Sequence, residues 1–144
     1  MNREPLKVYV AGAMVERAER AIPVMRALRE AGITITHDWT TDVQEYSNAE
    51  QSDAGVPDDI RYRCAVLDMQ GVKDADLVLL LAANERGSSG SWVEFGIAIG
   101  RGVPVIVAGE KARRTIFTSL AREIFPSDAE AVAYLAARQR DRGQ

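Results

Sequence analysis

Leu77-Val78-Leu79-Leu80-Leu81 is followed by the Gly/Ser-rich stretch Asn84-Glu85-Arg86-Gly87-Ser88-Ser89-Gly90, and then by Ser91-Trp92-Val93-Glu94-Phe95-Gly96-Ile97-Ala98. A run that is apolar at every position has no face to give to water. It predicts a strand buried on both sides, which implies a parallel sheet covered by helices. The loop after it leads into a helix predicted over Ser91–Arg101, and Val103-Pro104-Val105-Ile106-Val107 reads as the next strand. Upstream, Leu6–Ala11 predicts a first strand ended by Gly12, and Ile33-Thr34-Ile35-Thr36 a second, β-branched one. Between them Ala18, Ala21, Ile22, Met25 and Leu28 recur at helical spacing, with Pro23 expected to kink or delay the helix and Gly32 to stop it.

Pro57-Asp58-Asp59 has the chemistry of a helix first turn, and that helix is predicted to run to about Lys73 with Ile60, Cys64, Leu67 and Gly71 along one side. A short helix is expected around Thr115–Arg122, a strand stub at Ile124-Phe125, and a last helix from Ser127 to about Gln139. Residues 138–144 read as a frayed, charged tail. The polar segment 38–56 has little periodicity and reads as a lid or binding loop. Strands and helices alternate with no repeat and no linker. The expectation is one α/β domain over 1–144 with a doubly wound, five-stranded parallel sheet in the order 2-1-3-4-5 and helices on both faces. Ligands of such sheets bind beyond the carboxyl ends of the strands near the switch point, here after Ala11 and after Leu81.

Composition narrows the function. At 144 residues, 47% hydrophobic and 27% charged, the chain can bury a core, and disorder as its main state is excluded. No apolar run approaches the length of a membrane span, and Val8–Ala13 is too short for a signal-peptide core. A net charge of −3 provides no basic field for a nucleic-acid polymer, although a small nucleotide needs only a local site. Cys64 and His37 are the only residues of their types, which excludes an internal disulfide, a cysteine cluster for zinc and a multi-histidine metal site. Acid–base chemistry therefore falls to carboxylates, and a reducing cytoplasm is the expected compartment. Neither a dinucleotide fingerprint nor a P-loop is present.

Glu94 has two readings. Ser91-x-x-Glu94 has the form of a capping box, as does Ser127-x-x-Glu130. Alternatively Glu94 is a nucleophile, kept ionised by a helix N-terminus. Ser88, Ser89 and Gly90 can hold phosphate or sugar oxygens through hydroxyls and helix-start N–H groups. Asp68 is either a solvated surface acid or, if its helix crosses the top of the sheet, a second active carboxylate. Tyr9 and Gly12 end the first strand at the binding edge. Trp39 can stack on a base or close the core, and His37 beside it reads as structural. Lys111, Arg113 and Arg114 form a basic cluster that is either a solvated loop or a phosphate contact. Gly96 and Gly100 would let their helix approach another backbone closely, in a partner subunit or in its own sheet.

Taken together, Tyr9-Val-Ala-Gly12, Asp68 with Ala75-Asp76-Leu-Val, and Gly90-Ser-Trp-Val-Glu94-Phe-Gly96-Ile-Ala98 with Gly102-Val-Pro-Val resemble the nucleoside 2-deoxyribosyltransferase family and the related nucleoside 5'-monophosphate N-glycosidases. The resemblance runs from about residue 6 to 135. It implies a flavodoxin-like fold, a homodimer or larger assembly, and a nucleoside or nucleotide substrate with neither metal nor cofactor. It also implies that Glu94 attacks the anomeric carbon to form a covalent glycosyl-enzyme. Asp68 would orient the sugar or protonate the leaving base, and water or a second base would complete the reaction. Tyr9, Gly12 and Trp39 would line the base pocket. Ser88 stands where the hydrolases contact phosphate and the transferases carry an aspartate, and Ser119 where those hydrolases supply a phosphate contact from the neighbouring subunit. The hydrolases carry an arginine near position 15, where this chain has Val15; Arg113 or Arg114 would have to substitute. Thr36-His37-Asp38-Trp39 is not a motif of the well-characterised members, which implies an unusual base preference. The alternative is a nucleotide sensor on the same scaffold, without turnover.

Overall fold

The computed structural model describes residues 3–42, 56–84 and 89–144. Its centre is the apolar run itself: β3 (Leu77–Leu81) is buried at all five positions. Each fully buried leucine there contributes roughly 1.5–3 kcal/mol relative to an exposed one. On one side β3 pairs with β1 (Lys7–Ala11) in the register Val8 to Leu77, and on the other with β4 (Val105–Ala108) in the register Leu81 to Ala108. β2 (Thr34–Ile35) and β5 (Glu123–Phe125) form the edges. All pairings are parallel and the order is β2-β1-β3-β4-β5, as the alternation predicted.

Helices α1 (Ile22–Glu30) and α5 (Asp128–Gly143) pack together, as do α3 (Asp58–Asp74) and α4 (Ser89–Gly100); a single turn, α2 (Trp39–Asp42), follows β2. Pro23 delays its helix as expected. The chain first winds through a 3-10 turn (Met14–Glu16) and a π turn (Arg17–Ala21), and α1 begins with the proline in its first turn, where a missing N–H costs nothing. Gly32 ends α1 at φ 83°, a conformation that favours glycine.

Three local expectations are corrected. Helix α4 starts at Ser89, two residues before Ser91, so Ser91 lies inside the helix and is not its cap. At α5 the capping box does form, with Ser127 Oγ accepting from the Glu130 N–H at 3.2 Å. The stripe Ile60, Cys64, Leu67, Gly71 is not a buried face: on α3 only Gly71 and Val72 are buried, because only the C-terminal part of the helix reaches the core. Residues 138–144 do not fray before Gly143. Gln139 Oε1 accepts from the Leu6 N–H at 2.7 Å, Arg138 donates to the Tyr134 hydroxyl at 3.1 Å, and Arg142 lies 3.8 Å from Asp76, so α5 is tied to β1 and the β3 entry. Of the segment expected as a lid, 43–55 lies outside the described residues.

Arg20 braces the carboxyl ends of the sheet. Its guanidinium donates to the Ala82 carbonyl at 2.6 Å, to both Asp128 oxygens at 2.9 and 2.8 Å, and to Glu16 at 2.9 Å. Gly109, at φ 122°, leaves room for it; a Cβ there would lie 3.0 Å from Arg20 Nη2 and 3.1 Å from the Ala82 carbonyl.

Candidate active site

The carboxyl ends of β1 and β3 face the start of α4 and the C-terminal half of α3, and there the acids converge. Tyr9 extends from the fully buried middle of β1, and its hydroxyl donates to Oε2 of Glu94, in the second turn of α4. Glu94 is 9% exposed. Burial pushes its carboxyl up to about 8; the Tyr9 hydrogen bond works against that shift, and the charge of nearby Asp68 adds to it. The Tyr9 hydroxyl itself is held well above its ordinary value by burial and then by the charge of Glu94, so it remains a donor.

Asp68 reaches the same place from α3. Burial raises it to about 6, against the opposing pull of His37, and Asp42 adds to the rise. Its Oδ1 is buried without a hydrogen-bond partner among the described residues. The Tyr9 hydroxyl also acts on Asp68 and works against the rise. His37 Nε2 lies 3.5 Å from Asp68 Oδ1, and the same nitrogen lies 2.8 Å from Asp42 Oδ2. An ionised carboxylate only accepts, so Nε2 carries the hydrogen of that bond.

Gly71 makes the convergence possible. A Cβ at this position would lie 2.8 Å from His37 Cβ and 2.8 Å from Tyr9 Cδ2, closer than packed carbons approach. Thr36 Oγ1 donates to the Gly71 carbonyl at 2.7 Å and ties the end of β2 to the same turn. With glycine at this point α3 lies flat against the Tyr9 and His37 side chains, and Asp68, one turn earlier, is carried over the sheet edge.

Of the residues singled out in sequence, Tyr9, Asp68 and Glu94 are brought together. Ser89 and Gly90 lie exposed at the start of α4, with nothing within 4 Å of a Cβ at Gly90. Ser88 lies outside the described residues. Gly12 is beside the site, where a Cβ would make ordinary 3.7 Å contacts with Leu81 and Trp39. Trp39 is 8% exposed and donates its indole N–H to the Val10 carbonyl at 2.8 Å; it packs under the site and offers no open face for stacking. Ser119 is exposed on the 3-10 helix Ile116–Leu120 and donates to the Ile116 carbonyl at 2.8 Å. In the basic cluster, Arg114 reaches the Asn84 carbonyl at 3.3 Å, at the exit of β3.

His37, read from sequence as structural, and Asp42, which was not singled out, join the cluster around Asp68. The available signal was position: the sole histidine follows β2 at the edge of the sheet where ligands bind. His37, Asp42 and Asp68 place one nitrogen and two oxygens within 4.8 Å of one another. That composition could suit a cation. The nitrogen is engaged by the 2.8 Å contact between His37 and Asp42.

A separate apolar cavity of about 610 Å³ lies between α4 and the 3-10 helix Ile116–Leu120, lined by Trp92, Phe95, Ile99, Phe117 and Leu120 with Gly96 and Gly100 open to it. None of the carboxylates lines it.

No family model matches the chain, and no curated protein matches it by sequence. Solved structures do match in fold. A 2-deoxyribosyltransferase of Bacillus psychrosaccharolyticus superposes with a TM-score of 0.69 at 18% identity, over 90% of this chain and 95% of that one. The CMP N-glycosidase of Clostridium botulinum gives 0.59 at 20% identity, over 92% and 98%. A conserved protein from Enterococcus faecalis gives 0.61 at 18% identity, over 93% and 99%. The flavodoxin-like fold implied by the motifs is thus the fold of these proteins.

Proposed function

We propose that this protein cleaves the N-glycosidic bond of a nucleoside or nucleoside 5'-monophosphate. A shared fold does not by itself carry an activity. The observation that carries this reading is the buried Glu94 carboxyl, held by Tyr9 and set beside Asp68 at the switch point of the sheet. Its support from likeness is that two similarly folded proteins are a 2-deoxyribosyltransferase and a CMP N-glycosidase.

Glu94 attacks the anomeric carbon from one face while the C–N bond breaks, and its oxygen forms the new bond to the sugar. Asp68 gives its proton to the departing base, since an unprotonated nucleobase anion leaves poorly. Water or a second base then displaces Glu94. Burial raises both carboxyls, Asp68 to about 6 and Glu94 to about 8, so between those values the pair holds one proton and it rests on Glu94. One proton is the number that one nucleophile and one acid require, but the proposed reaction needs it on Asp68. The Tyr9 hydrogen bond, which lowers Glu94, works toward that transfer. In this reading Ser89, Gly90 and the N-terminal N–H groups of α4 receive sugar or phosphate oxygens, with Arg114, which reaches the Asn84 carbonyl, as a cation close by.

The protein acts as a homodimer in this proposal. The apolar cavity beside α4 adjoins Val93, Ile116, Phe117 and Leu120, all more than half exposed. A ridge of apolar side chains next to a groove floored by Gly96 and Gly100 is self-complementary, as a two-fold contact between copies requires.

The test is release of free base from a panel of nucleosides and 5'-monophosphates, ribo and deoxy, by the wild type and by Glu94→Gln. Release by the wild type, with loss of at least about a thousandfold in the variant, is expected. Full activity in Glu94→Gln would sink the assignment.

A further inference from the structure

Asp68, its side chain 30% exposed, must surrender its proton, and its buried Oδ1 has no hydrogen-bond partner among the described residues to meet the charge left behind. Tyr9 donates to Glu94 and assists Asp68 less than His37 does. The group facing that oxygen is His37, whose Nε2–H is engaged by Asp42 at 2.8 Å and lies 3.5 Å from Asp68 Oδ1. We propose that His37, anchored by Asp42, is the positioning residue for Asp68, turning its Nε2–H onto Oδ1 as the proton leaves for the nucleobase. This rests on the N-glycosidase reading above and adds two side chains, His37 and Asp42, to Glu94, Asp68 and Tyr9.

The step balances as follows. The Asp68 O–H bond breaks and its proton forms an N–H bond on the base, which receives the electron pair of the glycosidic bond. Asp68 becomes a carboxylate, and the His37 hydrogen shifts its acceptor from Asp42 toward Oδ1 without leaving nitrogen. At 3.5 Å this contact is too long to be a hydrogen bond at rest. It shortens only as charge develops on Asp68. An interaction made in the transition state and not before it lowers the barrier, where one made equally at both stages would not.

Three features fix the histidine. Its Cβ sits over Gly71, where no side chain could fit, Thr36 ties its backbone to the same turn of α3, and Asp42 holds the nitrogen. The ring therefore cannot follow Asp68 if that side chain rotates away. His37 also fixes which carboxylate oxygen, Oδ2, is left to face the substrate.

The test compares two substrates carrying the same sugar. One has the natural nucleobase; the other is a 4-nitrophenyl glycoside, whose leaving group departs without a proton. His37→Phe keeps a flat ring over Gly71 and removes the N–H. It should lower the ratio of kcat on the nucleobase substrate to kcat on the aryl substrate by about tenfold or more. His37→Gln, which restores an N–H, should recover part of that ratio. Asp42→Ala, which leaves the imidazole unanchored, should depress it in the same sense if His37→Phe does not fold. Equal losses on both substrates would make His37 merely structural and overturn the proposal, as would no loss on either. A wild type inert on both substrates would remove the reaction itself, and this role with it.

Discussion

The hydroxyl of Tyr9 and the carboxyl of Glu94 are joined by a buried hydrogen bond that spans 85 positions of the chain, from the first strand to the helix after the third. The tyrosine is the only donor to that carboxyl among the described hydrogen bonds, and it opposes the rise that burial imposes.

Tyr9→Phe should therefore raise Glu94 further above about 8 and shift base release toward higher pH. At neutral pH the rate should fall by about tenfold, with a stability loss of about 1 kcal/mol for the missing bond. A pH–rate profile superimposable on the wild type's would show that the tyrosine does not tune Glu94.

Glu94 and Asp68 also make the fold sensitive to pH. Each holds its proton more tightly folded than unfolded, Glu94 rising from 4.5 to about 8 and Asp68 from 3.8 to about 6. The native state thus carries more protons than the unfolded one inside those windows, and stability falls as pH rises through them. It is greatest below the unfolded values and least above about 8. Melting temperature should decline from mildly acidic to mildly alkaline pH. Glu94→Gln should flatten the part between about 6 and about 8. Parallel curves for the two proteins would contradict the assignment.

Gly71→Ala adds one methyl group where two side chains already stand 2.8 Å from its position. The expected cost is roughly 1–3 kcal/mol, measured by denaturant unfolding. Base release should drop as well, because α3 must lift and take Asp68 with it. An unchanged denaturation midpoint would mean that the helix lies farther out.

Phe117→Glu combined with Leu120→Glu should halve the particle mass seen by light scattering, by placing charge on the apolar ridge of the proposed dimer. The same mass in variant and wild type would place the interface elsewhere.

The architecture was legible because its cause is local. Leu77–Leu81 can only be a strand with both faces covered, and alternation with helices leaves few topologies. Glu94 and Tyr9 were legible as candidates because the first strand and the helix after the buried strand both border the carboxyl edge of the sheet, although Tyr9 stands in the middle of β1 rather than at its end. Asp68 stood ambiguous, because its place depends on how closely α3 approaches β1, and that is decided by His37 and Tyr9 packing against Gly71. Trp39 could have faced either way. The Val10 carbonyl took its N–H, and a buried indole with a satisfied donor has no reason to turn outward. The capping form at Ser91 misled because a helix can begin earlier when a loop allows it, and the carboxyl then serves a partner from another strand.

The Arg20 brace separates two jobs that many folds entangle. Its guanidinium ties the exit of β3 to α5 through Ala82 and Asp128, and to the turn after β1 through Glu16. Glu16 in turn accepts from the Asn84 N–H at 3.2 Å, just where the glycine- and serine-rich loop departs. The loop is thus rooted in a clamp made of other segments. If the proposed activity holds, substitutions between Asn84 and Ser89 leave this clamp, and with it the frame that carries Glu94, untouched.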